Sequence, residues 1–251
     1  GSDGYNEYIY GLGPVNSVES LVITSAAAAN HPFVTSKVAN AEALFIAGGN
    51  QWNYVNFWKG TALEDAIHTL RDQNVPIGGT SAGLAILGEF AFSAENGTVY
   101  SDEALENPYN QYMTLEQDFL EFPILSGAIT DSHFKEDNRM GRLVAFLARI
   151  LQDGWASEAK GIGVSEKTAL LVEPDGSASV VGTGGVYFLQ SPGMPEVCQP
   201  SAPLTFQDVG IYRVFAGGSF NLADWTGSGG LAYEVSAVNG NLSSTLPRGV
   251  Y

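Results

Sequence analysis

A single cysteine, Cys198, is all the thiol in this chain of 251 residues, which excludes an internal disulfide and any thiolate-bound metal cluster. It lies in the proline-rich stretch 191–203 with no histidine nearby in sequence, so it reads as a surface or filler thiol and not as a nucleophile. Histidine is scarce as well. His31, His68 and His133 are scattered and fit no H-E-x-x-H or other compact ligand spacing, so neither a catalytic metal nor a cofactor is expected. Basic residues number 11 against 27 acidic ones, for a formal net charge of −16. Nucleic acid is therefore a poor partner, because phosphate contacts need basic surface. The acidity serves solubility and would also favour a cationic substrate. No apolar stretch reaches the roughly 18 residues of a membrane span, and no cationic leader precedes an apolar core, so no membrane partner is expected. A mature secreted protein also lacks its leader, which leaves cytoplasmic and secreted locations open.

What the chain does have is apolar content, 45%, enough to bury a sizeable core. Up to about residue 190, short apolar runs alternate with helical periodicity. That pattern predicts an α/β fold, a mostly parallel, doubly wound sheet flanked by helices. Strand candidates are Ser20–Thr24, Ala43–Ala47, Val75–Gly78, Gly127–Asp131, Gly161–Val164 and Ala169–Val172. Thr61-Ala62-Leu63-Glu64 fits a capping box, and Leu63, Ala66, Ile67 and Leu70 fall on one face of the helix it opens. A second helix, Arg139–Leu151, carries Leu143, Phe146, Leu147 and Ile150 at helical spacing. After Val172 the texture turns to glycine-rich antiparallel β-structure, with Ala178–Val181 and Val186–Leu189 flanking Gly182-Thr183-Gly184-Gly185. The division expected is a core over 1–173 and an additional β-rich C-terminal region over 174–251 packed on it. Gly1–Tyr10 reads as a loop leading into the first strand candidate. Asn96-Gly97-Thr98 and Asn241-Leu242-Ser243 match the glycosylation acceptor pattern at a frequency close to chance.

Gly79-Thr80-Ser81-Ala82-Gly83 stands between a strand-like run and the helix-like Leu84-Ala85-Ile86-Leu87. A G-x-S-x-G in that setting is the pattern of a nucleophile elbow, where only small residues fit around the serine and its hydroxyl projects from the sheet. The helix that follows would aim free backbone N–H groups at the same place. A serine needs a general base, itself best oriented by a carboxylate. His68 sits off the apolar face of its helix and reads as solvated, and His31 reads as a loop residue before Pro32. His133 follows the strand Gly127–Thr130, so it would share the carboxyl rim of the sheet with Ser81. It is also the only histidine after Ser81, and further strands follow it. That placement suits an order of serine, histidine, acid and not the serine, acid, histidine order of α/β-hydrolases.

Ala47-Gly48-Gly49-Asn50-Gln51, Gly78–Gly83, Asp131-Ser132-His133-Phe134 with Arg139 and Gly141-Arg142-Leu143, and Gly161–Ala169 together resemble the cyanophycinase branch of the S51 serine peptidases. The resemblance implies the class I glutamine amidotransferase-like fold shared with aspartyl dipeptidase. It implies Ser81 as nucleophile, His133 as base and Glu166 as the acid that orients it. The oxyanion hole would come from the backbone N–H of Ala82 and of a glycine in the Gly48-Gly49 turn, Gly49 being the one chosen. Gln51, Asp131, Ser132, Arg139 and Arg142 occupy the positions that line the family's substrate pocket. Arginine suits bidentate binding of the free carboxylate that an aspartyl peptide or a cyanophycin-like substrate presents. A homodimer is what the family suggests.

Departures from the family pattern are Ser132 for a glutamine, Asp137 for the first of three arginines, Asn50 for an aspartate and Leu84 for an alanine. The pocket thereby loses a cation and gains an anion, which bears on cleavage at β-Asp-Arg units more than on peptidase chemistry itself. Asp3-Gly4-Tyr5-Asn6 resembles a family loop that follows a first strand–helix unit, so an amino-terminal portion is expected to be missing. The same three residues would serve an esterase or another acyl hydrolase. A binding module that keeps the fold without activity is the non-enzymatic alternative.

Overall fold

The computed structural model describes residues 3–251. The chain runs through α1 (Asp3–Tyr10), α2 (Ala26–Ala29), α3 (Pro32–Ala39), β1 (Leu44–Ile46), α4 (Gln51–Trp58), α5 (Ala62–Asp72), β2 (Ile77–Gly79) and α6 (Ala82–Ala85). Next come β3 (Ala91–Phe92), α7 (Ser101–Glu106), β4 (Leu115–Glu116), β5 (Ala128–Asp131), α8 (Met140–Gln152) and β6 (Lys160–Val164). The rest is β-structure: β7 (Thr168–Val172), β8 (Ser177–Gly182), β9 (Gly185–Gln190), β10 (Phe206–Phe215), β11 (Ser219–Asn221), β12 (Thr226–Ser228), β13 (Leu231–Val238) and β14 (Asn241–Ser244). The architecture is mixed α/β. Among the described residues, no helix is long and apolar enough to cross a membrane.

Parallel pairing is less extensive than the expected mostly parallel sheet. It joins β1 to β2 and β5 to β6, with a single parallel bridge from Phe90 to Ile129. The largest sheet has six strands in the order β14-β13-β10-β9-β6-β5. Within it β9 runs antiparallel to β6, so the C-terminal strands extend the sheet that carries β5. A separate four-stranded sheet takes β7, β8, β11 and β12. The runs 178–181 and 186–189 are strands as expected, yet they enter different sheets. A 3.0 Å bond from Thr183 N–H to Lys167 O turns the chain from one to the other.

The buried faces explain the elements. Eleven of the 13 residues of α8 are buried, because Val144, Ala145 and Ala148 fill the faces that Leu143, Phe146, Leu147 and Ile150 leave. α8 is buried on nearly all sides, its charged Arg142 included, and packs against β5, β6 and β10. A second cluster gathers Val34, Val38, Val55, Trp58, Leu63, Ile67 and Leu70 from α3, α4 and α5.

Three local expectations are corrected. Residues 3–10 form α1 and not a loop, while Gly1 and Ser2 lie outside the described residues. Ser20–Thr24 makes no ladder; Leu21 and Ile23 pack against the second cluster instead. Thr61 caps α5 without the box, since its hydroxyl donates to Trp58 O at 2.6 Å and Glu64 Oε2 accepts from Gly60 N–H at 2.5 Å. His31 lies outside the helices as expected, and there it caps α3, its Nδ1 accepting from Phe33 N–H at 3.2 Å.

Candidate active site

Ser81 occupies the turn between β2 and α6 with φ 53° and ψ −117°, a backbone conformation that costs an L-residue energy and persists only when its surroundings impose it. The two glycines of the motif are what allow it. A Cβ on Gly79 would lie 2.2 Å from Gly83 O, and one on Gly83 would lie 2.1 Å from Ile46 O. Gly83→Ala is therefore expected to destabilise the fold by at least ~1–3 kcal/mol, the range for overpacking. Gly13→Ala, which opens onto free space, is the control, and thermal denaturation of both is the check.

The turn after β1 closes over the same spot, since a Cβ on Gly48 would come within 3.1 Å of Ser81 Cβ. Among the described residues, neither Ala82 N–H nor Gly49 N–H donates to a group of the chain. The expected helix after Ser81 is a single turn, four residues long, so it adds local N–H groups and little helix dipole.

His133 follows β5 with φ 46°. Its Nε2 lies 3.0 Å from Ser81 Oγ and its Nδ1 lies 2.9 Å from Glu166 Oε1. With the proton on Nδ1 donated to the carboxylate, Nε2 is free to accept from the serine hydroxyl. Glu166 follows β6, the parallel neighbour of β5, and its N–H donates to Glu136 Oε2 at 3.0 Å. Thr130 Oγ1 donates to Leu84 O at 2.7 Å, tying β5 to α6. The three side chains thus come from turns after three strands, two of which are parallel neighbours. His133 and Glu166 keep 36% and 45% of their side-chain surface, so the site opens to solvent. Ser81, Ser132, His133 and Glu166 line one cavity.

The other expected pocket residues are placed differently. Arg142 and Asp131 are buried and face each other: Arg142 Nε donates to Asp131 Oδ2 at 2.7 Å and Nη2 to Oδ1 at 2.5 Å. The third nitrogen of Arg142 reaches Thr98 Oγ1 and Val99 O. Arg139 Nη1 donates to Ser132 O at 2.9 Å and to Asp131 Oδ1 at 3.2 Å, and its Nη2 donates to Asp137 Oδ2 at 2.6 Å. Gln51 Nε2 donates to Phe92 O at 3.2 Å. Cys198 is buried, and desolvation pushes its thiol up to about 12. His68 is half-buried and not the free surface residue expected, with Nε2 at 2.9 Å from Phe119 O. Sequence reasoning missed Glu136 and Thr130, whose roles come from contacts between distant segments that no local spacing announces.

Peptidase family S51 matches residues 12–180. The chain belongs to that family. Among its S51 relatives, the cyanophycinase of Synechococcus elongatus is 28% identical over 183 residues, 72% of this chain and 52% of that protein. The cyanophycinase of Trichormus variabilis is 24% identical over 194 residues, 75% of this chain and 60% of the relative. The chain spans about half the length of these relatives. A solved peptidase from an acI-B1 Actinobacterium superposes with a TM-score of 0.51 at 18% identity, over 79% of this chain and 67% of the other. At that identity the likeness concerns the fold alone.

Proposed function

We propose that this S51 chain is a serine peptidase of the cyanophycinase and aspartyl dipeptidase kind, cleaving aspartyl peptide bonds, β-linked ones above all, through an acyl-enzyme on Ser81. The observation that carries this reading is the hydrogen-bonded run from Glu166 through His133 to Ser81. His133 Nε2 takes the Ser81 proton as Oγ attacks the scissile carbonyl. The N–H groups of Ala82 and Gly49 meet the charge that develops on the carbonyl oxygen. The imidazolium then gives its proton to the departing amine. Water, deprotonated by the same imidazole, attacks the ester, releases the acid product and restores the serine. Glu166 holds the required tautomer and offsets the imidazolium charge.

In the same reading, the described residues up to 173 form a doubly wound core of the class I glutamine amidotransferase-like kind, and 174–251 continue it as β-structure. The pairing of β9 with β6 supports such a continuation.

One observation favours a second reading, an acyl hydrolase that does not demand an aspartyl carboxylate. Arg142 is consumed by Asp131, and the outer nitrogen of Arg139 is held by Asp137. Assays on β-Asp-Arg, isoaspartyl and α-Asp dipeptides beside p-nitrophenyl esters separate the two, since turnover of the esters alone would reject the aspartyl reading. Asp137 is 51% exposed, and an exposed ion pair contributes only about 0–1 kcal/mol to stability. Asp137→Asn is therefore expected to leave the fold intact, release the outer face of Arg139 and lower KM several-fold for substrates with a free carboxylate. An unchanged KM would remove Arg139 from carboxylate recognition.

A further inference from the structure

We infer that Tyr251 is a positioning residue for the catalytic base, acting through Phe134 to hold the turn that presents His133. The inference rests on the role proposed for His133 and adds the distant side chain that makes its geometry possible. His133 sits at φ 46°, so its conformation must be imposed by what surrounds it. Phe134 is the fixed point of the turn. Its N–H donates to Val164 O at 3.2 Å, tying the base turn to the strand that leads into Glu166. Its ring is fully buried, and a Cβ on Gly163 would come within 2.5 Å of it. Its carbonyl accepts from Arg139 N–H at 2.8 Å and from the Tyr251 hydroxyl at 3.3 Å.

That hydroxyl also accepts from Met140 N–H at 2.9 Å. The amide belongs to the first turn of α8, where no helical partner exists. One phenol, 117 residues away in sequence from Phe134, thus joins the base turn to the start of the buried helix. The rings lock the arrangement: Tyr251 meets Phe134 edge-on at 6.0 Å and Tyr187 edge-on at 5.8 Å. Burial raises the Tyr251 phenol above its ordinary range, so it stays protonated and able to donate. A placement error of about 1 Å in a reacting group can cost about a hundredfold in rate. The β-rich C-terminal region acquires a catalytic purpose by delivering this hydroxyl.

Tyr251→Phe removes the hydroxyl and keeps the ring. Tyr109→Phe is the control for stability alone, because its hydroxyl bonds Asp153 at 2.7 Å beyond the other end of α8. Two measurements are made on the full chain, kcat and KM on a cleaved peptide, and the downfield Nδ1–H proton resonance of His133 by NMR. With three histidines in the chain, that resonance is assigned by comparison with His133→Gln. Tyr251→Phe is expected to lose or broaden the resonance and to lower kcat about tenfold or more with KM within twofold, while Tyr109→Phe changes neither. A resonance retained unchanged in Tyr251→Phe overturns the inference, whatever kcat does. Normal turnover by Ser81→Ala would sink the peptidase mechanism and leave the NMR result to decide this inference by itself. Where the unaltered chain shows no such resonance, kcat is the readout, and parent-like kcat in Tyr251→Phe overturns the inference. Should Tyr251→Phe fail to fold, Tyr233→Phe loosens the same segment by releasing Val250 O, now 2.9 Å from the Tyr233 hydroxyl, and is read by the same resonance.

Discussion

Ser81→Ala is expected to abolish peptide hydrolysis, by about three orders of magnitude or more, because in the proposed mechanism the variant loses its nucleophile and keeps only the oxyanion hole and binding. The fold should survive. Alanine inherits the same backbone at φ 53°, and the lost hydroxyl contact with a partly exposed imidazole contributes only about 1 kcal/mol. A loss of activity at unchanged melting temperature therefore reports chemistry and not unfolding. The chain's cysteine does not offer a substitute nucleophile. Cys198 is buried with its thiol pushed up to about 12, so the thiolate that a cysteine mechanism requires is absent at neutral pH. Steady-state hydrolysis of the best dipeptide by the variant and the parent is the measurement. Parent-like turnover by the variant would end the acyl-enzyme mechanism.

The elements that carry Ser81, His133 and Glu166 were legible because each is local. An apolar run ends in a turn with one reactive residue, and the small residues around Ser81 report a steric demand that the Gly79 and Gly83 contacts explain. The long helices α5 and α8 were legible through their periodicity. What escaped the sequence is pairing between distant segments. The strands around Gly182–Gly185 read as neighbours, yet their partners are β7 and β11 on one side and β6 and β10 on the other. The Gln51–Trp58 helix has aromatics and asparagines without a clear stripe, and only Asn50, whose side chain accepts from Trp52 N–H at 3.0 Å, marks its start. The capping box at Thr61 failed because the Glu64 carboxylate found the Gly60 amide first. Tyr251 had no signal at all, since its value lies in two backbone groups over a hundred residues upstream.

Arg142→Met should cost about 3–5 kcal/mol of folding stability, the range measured when one partner of a buried ion pair is removed. The resemblance assigns Arg142 to a substrate pocket, where its loss would raise KM and spare the fold; the packing argues for the opposite partition. Side-chain exposures of 4% for Arg142 and 3% for Asp131 mean that neither charge meets solvent, and each satisfies the other bidentately. The guanidinium also lies 5.1 Å from the Phe92 ring centroid and 5.8 Å from that of Phe146, a seat in which methionine can replace its volume but not its bonds. Asp131 would be left with the 3.2 Å contact to Arg139 and its neighbour Ser132 N–H at 2.9 Å, too little for a carboxylate kept from water. Against a total stability of about 5–15 kcal/mol for a native domain, the denaturant midpoint should fall steeply. Asp131→Asn combined with Arg142→Met should recover part of the loss, because no unpaired charge then remains buried. A parent-like midpoint with a raised KM would return Arg142 to the substrate. The expected result, lost stability first and lost activity only as a consequence, makes the Asp131–Arg142 pair the foundation beneath the His133 turn, and leaves Arg139 as the one arginine of the two with surface to offer a ligand.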